Sequence, residues 1–221
     1  MPKEENPPLI VQEQKPYEHT VTFTPTYKTL HFSRKEIGHL LVGALLVAGV
    51  GASMVIYQFY NDYMILALMG LISTTSFFLH EIAHKIVAQR EGLWAEFRLT
   101  LMGAILTLVS ILPTFFKIIS PGAVIISGFP DPRKLAKTSI AGPATNIALS
   151  LAFFAVAFML PKHAFALLFG AALNAWIAFF NLIPLGMLDG FKIFVWNKRI
   201  WAVTFALSMV LTLASYKLVT Y

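Results

Sequence analysis

The sequence predicts an all-α polytopic membrane protein, with about five to six transmembrane helices and a membrane-embedded hairpin or re-entrant segment near residues 99–126. Three observations predict it. Of 221 residues, 57% are hydrophobic and 13% charged, against about 25% charged in an ordinary soluble domain. Residues 1–36 hold ten of the 28 charged side chains, so the remainder is poorer in charge still. That remainder divides into apolar runs of the ~20 residues needed to cross a bilayer. A soluble domain of this make-up would expose large apolar patches and aggregate.

Two parts follow: a polar N-terminal tail, 1–36, and a membrane domain, 37–221. The tail carries Pro2, Pro7, Pro8, Pro16 and Pro25 and reads as disordered at its start. Val21-Thr22-Phe23-Thr24 alternates apolar and polar, the pattern of a short strand. Ser33 precedes Glu36 by three residues, a capping-box spacing that opens a helix. Span one runs from about Ile37 to Phe59 and is read as an uncleaved anchor. Asn61-Asp62 make a short turn into span two, Tyr63 to Ala88. Span three covers Lys137 to Leu160, and Pro161-Lys162-His163 turn the chain into span four, Ala164 to Ile183. The last span covers Ile200 to Val219.

Leu99 to Ile126 is harder. Leu99 to Phe116 is apolar throughout, and a second apolar run after Lys117 is split by Pro121-Gly122. Charge decides between a crossing and a return. If the segment returns, Arg34, Lys35, Lys85, Arg90, Arg98, Arg133, Lys134, Lys137, Lys192, Lys198 and Arg199 share the N-terminal side. A crossing would split them. The positive-inside rule prefers the return and places the N-terminus in the cytoplasm. Non-helical backbone there must be covered by protein or line a wet cavity. Pro121 to Ile126 and Phe97 to Leu101 are candidate extended edges, with a lipid-facing hydrophobic loop as the alternative.

The net charge of +6 would suggest a nucleic-acid partner in a soluble protein. Here it reflects Lys and Arg left on one side of the membrane, and the expected partner is the lipid bilayer, with no nucleic acid. The chain has no cysteine, so a transition metal would rest on His, Asp or Glu.

His80-Glu81-Ile82-Ala83-His84 is the strongest chemical signal. Residues four apart share a helix face, so His80 and His84 could hold one Zn2+ with Glu81 beside it as a candidate general base. Three ionisable side chains inside an apolar segment are costly without a partner or a cavity. A catalytic zinc site takes three protein ligands and leaves one position open. Asp189 is a candidate third ligand. It follows Asn181-Leu182-Ile183-Pro184-Leu185-Gly186, where Pro184 breaks the helix and Gly186 and Gly190 permit a turn. The alternative is a loop acid beside Lys192. Under the returning topology, His80, His84 and Asp189 reach the same depth; under a single crossing they would not.

HEIAH in a span, Gly142-Pro143-Ala144-Thr145-Asn146 after it, and Leu188-Asp189-Gly190 following Asn181-x-x-Pro184 together resemble the site-2 protease family of intramembrane zinc metalloproteases, in its form without a PDZ-like domain. The resemblance covers about residues 64–195. It implies that His80, His84 and Asp189 bind zinc, that Glu81 activates water, and that the substrates are transmembrane or membrane-anchored proteins cut in or near the bilayer. Ala83 and Phe191 stand where the family often has glycine, and neither change removes a ligand. Asn146 and Asn181 are candidates for oxyanion or substrate contacts, with a helix–helix hydrogen bond as the alternative for each. A non-proteolytic zinc-binding scaffold would have no need of Glu81. A metal transporter would need polar residues spread across the membrane rather than gathered near one face.

Overall fold

The computed structural model describes residues 30–112, 117–127 and 131–220. The strand expected near Val21 lies outside them. The described elements are α1 (Arg34–Ser53), α2 (Tyr63–Arg90), β1 (Trp94–Leu99), α3 (Leu101–Val109), β2 (Gly122–Ser127), α4 (Pro132–Met159), α5 (Ala164–Asn181), α6 (Asp189–Trp196) and α7 (Lys198–Thr220). A one-turn 3-10 helix, Pro161–His163, joins α4 to α5. Helices α1, α2, α4, α5 and α7 are long and apolar enough to cross a membrane.

Helix starts follow local chemistry. Ser33 Oγ accepts the Glu36 amide at the head of α1, Asp62 accepts from Ile65 at α2, and Asp131 accepts from Lys134 at α4 with Pro132 in the first turn. Asn197 accepts the amides of Arg199 and Ile200 to open α7. One span is shorter than expected. Helix α1 ends at Ser53 rather than Phe59, and the chain continues through a series of turns to Asp62, which caps α2. Only half of the capping box forms, because the Glu36 carboxylate is used elsewhere.

The segment after α2 is a hairpin that returns. Strands β1 and β2 pair antiparallel, from Trp94 opposite Ser127 to Leu99 opposite Gly122. The two candidate edges thus pair with each other. The long apolar run yields only the nine-residue α3, too short to cross a bilayer. Lys117 holds the deep end: its ammonium donates to the Ser110 and Leu112 carbonyls at the end of α3 and to Ser53 Oγ at the end of α1. Trp176 Nε1 donates to the Lys117 carbonyl, and Trp201 Nε1 to the Leu182 carbonyl past the end of α5. These two indoles serve backbone carbonyls freed at element ends.

Glu36 ties three elements together. Its carboxylate, fully buried, accepts from the Lys85 ammonium of α2 at 2.5 Å and from the Phe97 amide of β1 at 3.0 Å. Lys85 also lies over the Phe32 ring, 4.4 Å from its centroid. One turn on, His39 Nδ1 accepts the Leu99 amide. Two side chains of α1 therefore occupy the outward-facing amides of β1, in the place a third strand would take.

Helices α2 and α4 run antiparallel, with His84 level with Thr138 and His80 level with Asn146. Helix α5 crosses both, with Asn174 against Asn146 and Ser76. The end of α2, the start of α4 and the end of α5 consequently meet at one end of the bundle. This is the arrangement the returning hairpin requires.

Candidate metal centre

Helix periodicity builds the site. Ser76, His80 and His84 fall four apart on α2, and Thr138, Gly142 and Asn146 fall four apart on α4, so each set forms one stripe. The stripes face each other. His84 Nδ1 lies 2.7 Å from the Thr138 carbonyl, and His80 Nδ1 lies 2.5 Å from Asn146 Oδ1. Both acceptors fix the proton on Nδ1 and leave the Nε2 lone pairs pointing inward. Pro143 has no amide to give the Ser139 carbonyl, and Ser139 lines the cavity in front of the histidines.

Asp189 arrives from the break after α5. Gly186 has φ +45°, the left-handed conformation that turns the chain back. At Gly190 a Cβ would collide with the Leu182 carbonyl, so the close return of α6 requires glycine there. Asp189 Oδ2 then sits 3.0 Å from His84 Nε2 and 3.7 Å from His80 Nε2, and the two Nε2 atoms are 3.0 Å apart. Burial alone would raise the Asp189 pKa. The neighbouring His84, hydrogen bonds to both imidazoles and Lys192 outweigh it and hold the carboxyl below the usual carboxylate range.

The donor chemistry tests whether a metal fits. With Nδ1 protonated on both rings, two imidazole lone pairs and a carboxylate oxygen face one another in a buried site. Three acceptors this close repel unless a cation or a proton lies among them. Ligands ~2.0–2.1 Å from a tetrahedral zinc ion stand ~3.3–3.4 Å apart. The separations of 3.0 to 3.7 Å bracket that value. Gly142 supplies the space: a Cβ on it would overlap Nε2 of both His84 and His80. His80, His84 and Asp189 could therefore hold one metal ion, and no other such group occurs among the described residues.

Glu81 lies next to the ligands, buried, with Oε2 lacking any hydrogen-bond partner among the described residues. It lines a cavity of about 200 Å³ that also takes in the three ligands, Thr100, Met102, Leu106, Val124, Phe180, Asn181 and Met187. Asn181 is in that cavity, and its Nδ2 donates to the Ile177 carbonyl of its own helix. Asn146 is not. It is fully buried behind His80, its oxygen on the His80 ring and its Nδ2 on Asn174. Its amide faces His80 and Asn174 and does not line the cavity.

The model of peptidase family M50 matches residues 63–166. A protein named "putative zinc metalloprotease" from Methanocaldococcus jannaschii is 33% identical over 177 residues, 78% of this chain and 90% of the relative.

The chain belongs to peptidase family M50.

No solved structure matches it significantly. Membership of M50 makes the chain a metallopeptidase, and the five apolar helices among the described residues make it an integral, multi-pass membrane protein. The matched stretch ends before Asp189, whose approach to the two histidines makes it a candidate third donor. Gly142 and Asn174 did not stand out in the sequence as site residues. The one legible signal was that Gly142 and Asn146 share a helix face with Thr138.

The Gly142 geometry gives a direct test. Gly142→Ala is expected to weaken zinc binding by about a hundredfold, read by competition with a chromophoric chelator. Unchanged affinity in the variant would place the metal away from α4.

Proposed function

We propose that the protein is an intramembrane zinc metalloendopeptidase that hydrolyses peptide bonds in or near the transmembrane segments of membrane-anchored proteins. The observation that carries this reading is Glu81, a buried carboxylate with an unpartnered oxygen beside three converging donors. A structural metal site would close its coordination and have no use for such a base.

His80, His84 and Asp189 would hold the zinc, which when bound supplies a Lewis acid for the peptide carbonyl and acidifies water. Glu81 takes the proton of the attacking water and delivers it to the leaving amine nitrogen. Asn181, in the same cavity, is the candidate donor to the developing oxyanion. Asn146 keeps His80 oriented.

Substrate would bind as an added strand. In an antiparallel pair, alternate residues turn their amides and carbonyls away from the partner. The outward Phe97 and Leu99 amides of β1 are occupied by Glu36 and His39, and the Thr100 amide bonds the Pro121 carbonyl. That alternation turns Gly122, Val124 and Ile126 of β2 outward, and all three line the cavity with the donors. A peptide held on this edge is unwound and bound by its backbone, which requires no chain terminus and favours internal bonds. The walls, Met102, Leu106, Phe180 and Met187, are apolar and suit membrane-embedded sequence.

The basic residues at the site end of the bundle support a cytoplasmic position for that end and for the N-terminal tail 1–36. Residues 37–221 then form the protease domain. A single cysteine at exposed Arg133, in a chain with no other, is expected to react with an impermeant maleimide from the cytoplasmic side of sealed vesicles only. Labelling from the opposite side would overturn the assignment.

Glu81→Gln is expected to keep zinc and lose cleavage of a transmembrane peptide by ~10²-fold or more. Cleavage at the wild-type rate would remove Glu81 from the chemistry. Val124→Pro deletes an outward amide and leaves the β1–β2 ladder intact. It should cut cleavage at least about tenfold with zinc retained, whereas Val124→Ala keeps it. Equal activity of the two variants would rule out strand addition at this edge.

A further inference from the structure

The two metal-facing histidines are oriented by different kinds of acceptor. His84 Nδ1 faces the Thr138 backbone carbonyl, which can only accept. His80 Nδ1 faces a side-chain amide, Asn146. An amide can present either its oxygen or its NH2 group. Presented the wrong way, it would favour the tautomer with the proton on Nε2, where no metal could bind. Something must hold the Asn146 amide in one orientation.

A buried chain of hydrogen bonds does so. Asn174, fully buried on α5, donates through Nδ2 to the Gly170 carbonyl at 2.8 Å and to Ser76 Oγ at 2.9 Å. Ser76 Oγ donates its own proton to the Ile72 carbonyl at 2.8 Å, so toward Asn174 it can only accept. Both ends of this arrangement are backbone carbonyls, whose polarity cannot reverse. Asn174 must therefore turn its NH2 toward them and its Oδ1 toward Asn146. Asn146 must answer with Nδ2, at 2.7 Å, and present Oδ1 to His80. The Ser76 carbonyl, 3.4 Å from Asn146 Nδ2, adds a longer contact of the same sense.

We infer that Asn174 is a positioning residue for the metal site, setting the tautomer of His80 through the Asn146 amide with Ser76 as its anchor. This rests on His80 being a metal ligand. Asn174 touches neither the ligand atoms nor the cavity, yet its oxygen decides which end of Asn146 the ring sees. The network joins α2, α4 and α5, so it also makes metal affinity depend on how α5 packs.

The test is a double-variant cycle read as zinc affinity by chelator competition. Asn174→Leu in the otherwise native protein is expected to weaken zinc about tenfold, in the range of lost outer-shell partners. Asn146→Asp offers His80 an acceptor whichever oxygen faces it, so orientation no longer has to be set. In that background Asn174→Leu should cost less than about twofold. The same pattern is required of Asn174→Ala, which adds no bulk and keeps the test open if the leucine variant fails to fold. Equal losses in both backgrounds would reduce Asn174 to a packing residue and overturn the inference, as would no loss in either. A native protein that binds no zinc at all would overturn the metal reading itself and this inference with it.

Discussion

Two imidazole lone pairs and a carboxylate oxygen converge inside an apolar bundle, and the remaining architecture can be understood as what that convergence demands. Like partial charges at 3.0 to 3.7 Å in a low-dielectric interior are unfavourable unless a cation joins them. Each donor is therefore held from behind. A backbone carbonyl fixes His84, an amide network fixes His80, and a glycine turn with a broken helix carries Asp189 back. A missing side chain at Gly142 leaves the room in which an ion would sit. The cost of placing polar groups in the membrane is reduced by linking the two imidazoles, Asp189, Asn146 and Asn174 into one hydrogen-bonded cluster.

The hairpin is the second half of the design. A full crossing at residues 99–126 would put the start of α4 at the opposite end from His84, and the two stripes of the site could not face each other. By returning, the chain brings α2, α4 and the end of α5 level, and it delivers an extended strand beside the donors. The buried Glu36–Lys85 pair connects the two halves. Lys85 follows His84 directly, and Glu36 holds the Phe97 amide, so α1 fixes the sheet against α2 and closes one of its edges. A buried ion pair of this kind contributes little net stability, and its hydrogen bonds give it a role in setting register.

Much of this could be read from the residues in order. Spans are written in runs of apolar side chains, and the return of the hairpin is written in the placement of Arg and Lys, because both depend on solvation along the chain. His80 and His84 share a face by spacing alone. Asp189 was exposed as a candidate by its isolation after a proline and a glycine. What stayed hidden depends on packing between distant segments. Lys85 reads locally as an interfacial lysine, although it is buried against an acid 49 positions earlier. Asn146 could be recognised as a costly amide in an apolar helix. Whether it faced substrate or ligand was fixed only by the approach of α2 and α5. The mutual pairing of the two extended edges depends in the same way on where α3 ends, and there the sequence does carry a local stop signal, Ser110 and Pro113 just beyond Val109.

The central claim is that donors from two distant segments make one metal site. Zinc per chain, measured in purified wild type and in His84→Ala and Asp189→Ala, tests it most directly. About one zinc ion is expected in the wild type, with its loss, or at least a tenfold weakening, in both variants. Wild-type zinc affinity in Asp189→Ala would contradict the claim, because the histidine pair would then be binding metal without the residue that the broken helix returns to it.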